Sequence, residues 1–72
     1  MFYYVAVHDA GRTALLAGPY AQESSAEQAM QEVRRLAYDA DPWSWFYTFS
    51  LGKSERSFPT RFGVVHDPQP RN

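Results

Sequence analysis

Leu15-Leu16-Ala17-Gly18-Pro19-Tyr20, running on into Ser24-Ser25-Ala26-Glu27, decides how the rest of the chain is read. An apolar run stops at Gly18-Pro19, a short polar link follows, and an amphipathic helix begins. Gly18 tolerates backbone angles that other residues avoid, and Pro19 withholds the amide that a central strand would need. The stretch predicts a strand over Thr13 to Ala17, closed by Gly18-Pro19, with a helix starting a few residues later.

Upstream, Phe2 to Val7 is a β-branched and aromatic run without a breaker, hence a strand. Asp9-Ala10-Gly11-Arg12 is turn chemistry, so the two strands form an antiparallel hairpin. Phe2, Tyr4 and Ala6 alternate with Tyr3, Val5 and Val7, and a strand apolar on both faces belongs in the middle of a sheet.

Downstream, Ser24 with Glu27 fits a capping box, and Ser25 with Gln28 offers a second register. Ala26, Ala29, Met30, Val33, Leu36, Ala37 and Ala40 recur at helical spacing, opposite a face of Gln28, Gln31, Glu32, Arg34, Arg35 and Asp39. Glu23 and Glu27 at the start and Arg34 and Arg35 toward the end suit the helix dipole. Asp41-Pro42 ends the helix, because a residue before proline resists the α region.

Trp43, Trp45, Tyr47 and Phe49 then alternate with Ser44, Phe46, Thr48 and Ser50, which predicts a third strand with Phe46 on the face away from the helix. Gly52 to Ser57 is polar and reads as loop. Phe58 to Val65 is a candidate for a short fourth strand at the edge, weakened by Pro59 and Gly63. The fold class is α+β, ββαβ with an optional fourth edge strand: an antiparallel three-stranded sheet in order 2-1-3 with one helix on one face. Residues 1–66 form a single domain, and 67–72 a C-terminal tail without a packing face.

Seventy-two residues lie near the lower limit for a self-sufficient core, and without cysteine no disulfide can add stability. Aromatic residues make up 17% of the chain and compensate, since each ring can bury on the order of 150–250 Å². One helix covers only one face of a three-stranded sheet, so some rings should lie on the open face and invite a partner or a second copy. A homodimer or a binding module is therefore expected.

The net charge of −1 gives no global reason to bind nucleic acid or an anionic membrane. Residues 1–52 carry an acidic excess, and residues 53–72 a basic one through Lys53, Arg56, Arg61 and Arg71. No apolar run suits a membrane span and the first residues lack a secretory pattern, so the expected location is cytoplasmic.

Catalytic parts are sparse. His8-Asp9 and His66-Asp67 pair imidazole with carboxylate, but two ligands at unknown separation do not reach the count a metal needs. The serines lack a nucleophile-elbow setting, and Gly11, Gly18, Gly52 and Gly63 stand apart, so no phosphate loop forms. The expectation is no enzyme, no cofactor and no metal.

Two binding readings remain. Large rings with polar neighbours resemble the anchor and rim of a protein interface, which points to Tyr3, Trp43 and Phe46, with Arg12 at the hairpin tip. That reading requires the open face not to be covered by residues 58–65. The alternative is a single-stranded nucleic-acid binder, in which Lys53, Arg56, Phe58 and Arg61 interleave cations with rings and the sheet aromatics extend the platform.

The Gly18-Pro19-Tyr20 hinge resembles the strand–GP(F/Y)–helix element of peptidoglycan-binding SPOR domains, over Leu15 to about Leu36. A broader pattern is similar to small uncharacterised proteins of phages and integrative elements. It comprises Tyr3-Tyr4-Val5, Asp9-Ala10-Gly11-Arg12, Leu16-Ala17-Gly18-Pro19-Tyr20, Ala40-Asp41-Pro42 and Trp45-Phe46-Tyr47. That resemblance implies a bacterial or phage setting, where compact proteins often occlude a host protein, the anti-CRISPR inhibitors being one such class.

Overall fold

The β-branched run at the start of the chain forms β1, Phe2–Asp9, and turns at Ala10-Gly11 into β2, Arg12–Tyr20. Both turn residues have positive φ. A helix, α1, spans Glu23–Ala40, a short 3-10 helix covers Pro42–Phe46, and β3 is Thr48–Ser54. These elements come from a computed structural model that describes residues 1–65. The expected C-terminal tail and the His66-Asp67 pair lie outside the described residues. The three strands form an antiparallel sheet in the order β2-β1-β3.

Tyr3, Val5 and Val7 face α1. Val5 and Val7 join Leu16, Ala17, Tyr20, Ala26, Ala29, Val33 and Ala37 in the core, and Tyr3, Phe49 and Leu51 pack against it. Tyr3 thus lies on the helix side, not on the open face that the interface reading gave it. The small alanines of α1 let the helix settle close to the sheet, so the core is thin and made mostly of alanine and valine, with Tyr20 as its large ring.

Three boundaries differ from the expectation. Strand β2 does not stop at Ala17. It continues through Gly18 and a cis Gly18–Pro19 peptide to Tyr20, which pairs with Tyr3. The register shifts twice, once between Val5 and Ala6 and once between Tyr3 and Val5, each time taking one extra β2 residue into the bulge. Proline is tolerated because β2 is an edge strand.

Helix α1 begins at Glu23 with Gln22 as its N-cap and no side-chain cap, so the expected capping box does not form. Only Ala21 and Gln22 separate β2 from α1, which turns Ser25 inward, where it is buried. No base lies in the last helical turn. Arg35 instead bridges Glu32 and Asp39 on the exposed face.

The third strand starts five residues later than expected. Asp41 accepts a hydrogen bond from the Trp43 amide (3.1 Å) and Pro42 occupies the first helical turn, so Pro42–Phe46 winds into a 3-10 helix. Phe46 is the last residue of that helix and lies outside the sheet. Strand β3 then takes in Gly52 to Ser54, which read as loop, and pairs with β1 over seven residues without a register shift.

Phe58 to Val65 forms no strand, yet its backbone closes the outer edge of β2. Arg61 and Phe62 amides donate to the carbonyls of Leu15 and Leu16, and the Gly18 amide donates to Gly63. On the way there, the chain crosses the sheet face opposite α1. The Tyr4 hydroxyl donates to the Arg56 carbonyl (2.9 Å) and accepts from the Phe58 amide (3.0 Å). The Tyr4 and Phe58 rings are 6.4 Å apart, which leaves Tyr4 only 1% exposed. Thr60 donates to the Gly18 carbonyl, and Tyr20 to that of Val65.

Candidate protein-binding surface

The covering segment changes where a partner can reach. The face opposite α1 carries Thr48, Ser50, Gly52 and Ser54 on β3, beside His8, Ala6, Tyr4 and Phe2 on β1. It is largely polar, and its aromatic end is roofed by residues 56–58. His8 staples its open end, with Nδ1 2.9 Å from the Thr13 hydroxyl and Nε2 2.7 Å from that of Ser50. Both ring nitrogens are therefore engaged by hydroxyls. No group of three potential metal ligands occurs among the described residues.

Large exposed apolar surface gathers instead where α1 ends, around the 3-10 helix and the start of β3. Trp43 is 70% exposed and Tyr38 49%. Beside them a groove of about 490 Å³ is lined by Arg34, Arg35 and Tyr38 of α1, Ser44 of the 3-10 helix and Phe49 of β3. Local sequence explains each position. Asp41-Pro42 ends one helix and starts the next, which swings Trp43 outward and Ser44 inward, where it is 3% exposed. Phe49 is the first apolar residue on the helix side of β3, and the Arg34 guanidinium stacks on its ring at 5.2 Å.

The charges around the groove differ in availability. Arg35 is tied to Glu32 and Asp39, and the hydrogen bond and charge of Glu32 raise its already high pKa. Arg34 makes no ion pair among the described residues. Behind the groove, Tyr47 donates to the second oxygen of Asp41 (3.2 Å). Burial, then this hydrogen bond and the Asp41 charge, push the Tyr47 phenol above its ordinary value. Asp41 thereby fixes both the turn that presents Trp43 and the first residue after it.

Of the residues expected at a protein interface, Trp43 and Arg12 share one end of the domain, since the hairpin tip and the 3-10 helix both lie where β3 begins beside His8. Tyr3 lies at the other end, paired with Lys53. Tyr38, Arg34 and Phe49 were missed as site residues. Tyr38 sits on the polar side of the helical stripe, and an exposed ring there was the available signal.

The nucleic-acid candidates do not share a track. Lys53 is on the helix side of β3, Arg56 and Phe58 cross the opposite face, and Arg61 stacks on Phe62 at the β2 edge. No helix among the described residues is long and apolar enough to cross a membrane. Comparison with protein-family models, curated proteins and solved structures finds no match to this chain.

Proposed function

We propose that this chain is a non-enzymatic protein-interaction module that acts by docking a protein partner on the Trp43 surface. The observation that carries this reading is Trp43 standing 70% exposed next in the chain to Ser44, which lines a groove with Tyr38, Phe49 and the Arg34 that stacks on the Phe49 ring. Trp, Tyr and Arg are the residues that dominate binding energy at protein interfaces, and here Tyr38 and Arg34 line the groove while Trp43 is exposed one residue before its Ser44 wall. The resemblance to phage and integrative-element proteins makes a bacterial host protein the class of partner, with inhibition by occlusion as the mode of action in the cytoplasm.

The test compares capture from bacterial lysate by the wild-type chain and by Trp43→Ala, with and without nuclease. A single stoichiometric protein that survives nuclease and falls about 30-fold or more in affinity with Trp43→Ala is the expected result. Equal capture by both chains would remove Trp43 from the interface. Capture that vanishes with nuclease would assign binding to nucleic acid instead.

A further inference from the structure

The two edges of the sheet are treated differently. The outer edge of β2 is distorted by two bulges, carries Pro19, and is closed by hydrogen bonds from the 61–63 backbone. The outer edge of β3 has none of these devices. It is seven residues long, regular in register, contains no proline, and pairs with nothing among the described residues. A regular, unpaired edge is a template for another strand, and sequences normally blunt such edges with bulges, prolines or several charges. Here one lysine, Lys53, is the sole charged residue on the strand.

We propose that the β3 edge pairs antiparallel with β3 of a second copy, joining two sheets into one of six strands. The seam shares Phe49, Arg34 and Tyr38 with the groove beside Trp43, but the inference rests on the β3 edge and stands without the docking reading. Self-complementarity supports a second copy as the occupant. A two-fold axis at Leu51, the central residue of Thr48–Ser54, pairs all seven residues of each strand. Leu51 then faces Leu51, Phe49 faces Lys53, and Lys53 never faces its own copy. The half-buried Phe49 and Leu51 are covered, and each Lys53 lies beside an aromatic ring.

The helix layer is complementary under the same rotation. Arg34 and Tyr38 flank β3 across the groove, and Gln31 and Glu27 continue their row along α1 at helical spacing. Glu27 and Arg34 stand about 10.5 Å apart along the helix axis. A two-fold axis reverses the row, so the acidic end of one copy faces the basic end of the other. The pairing is isologous and closed, so it stops at two copies.

A chain without cysteine makes the test direct. Sedimentation equilibrium of the wild type is expected to show twice the chain mass at high concentration. Under mild oxidation Leu51→Cys is expected to form a disulfide-linked dimer with about tenfold or more advantage over Arg12→Cys, because antiparallel partners hold their Cα atoms within disulfide reach. Leu51→Lys and Leu51→Asp should each sediment as monomers, and their equimolar mixture should recover a dimer. Recovery on mixing separates a lost interface from lost folding. A wild type that stays monomeric, equal cross-linking at positions 51 and 12, or dimers that persist in both charged variants would each overturn the proposal.

Discussion

At Gly18 a Cβ would come within 2.8 Å of the Tyr3 carbonyl oxygen and 2.9 Å of the Tyr4 ring, on a backbone with φ of +123°. Backbone strain and steric overlap each cost about 1–3 kcal/mol, so Gly18→Ala should lower stability by about 3 kcal/mol, read by chemical denaturation. The sequence marks Gly18 as special but not why, since its neighbours are 14 and 15 residues away in the chain. A second residue-scale outcome concerns the Tyr47–Asp41 pair. The folded chain holds the Tyr47 proton more tightly than the unfolded chain does. The pair's contribution is therefore complete below about pH 10 and is lost as pH rises through the higher folded value. Denaturation midpoints measured from pH 8 to 12 should fall more steeply for the wild type than for Tyr47→Phe.

Among the elements, α1 was readable because one apolar stripe and one Asp-Pro stop are local signals. Strand β3 was misplaced because Trp43 to Phe49 satisfies a period of two, while Asp41-Pro42 is also a helix start. The proline and the Asp41 carboxylate decide the contest, and the Asp-Pro pair was the signal that would have found it. Gly52-Lys53-Ser54 looks like loop in isolation and becomes strand only because β1 supplies a partner for each residue. The segment after β3 depends on single side chains in the same way. Tyr4→Phe removes the hydroxyl that holds Arg56 and Phe58, and should cost about 1–2 kcal/mol. Hydrogen exchange at the Phe58 amide should accelerate, while exchange in α1 keeps its protection.

For the molecule as a whole, strand order was legible from β1 being apolar on both sides, and for the same reason the face that the helix covers was not: Tyr3 belongs to the helix side. The candidate site was only half legible: Trp43 could be named, but the groove joins Arg34, Ser44 and Phe49, whose approach depends on the helix turn at Asp41. Covering of the face opposite α1 moved the aromatic surface to one end, where the Trp43→Ala and Leu51 variants probe separate edges of the same region. The strap from Arg56 to Val65 also bears on how the chain is made. Its hydrogen bonds reach back to Tyr4, Leu15, Leu16 and Gly18, spanning up to 54 positions in sequence. During vectorial synthesis the hairpin emerges first, with its outer edge bare and its central strand lacking a neighbour. The last-made stretch of the domain therefore completes the sheet, and the outer edge of β2 stays open until residues 61–63 have cleared the ribosome.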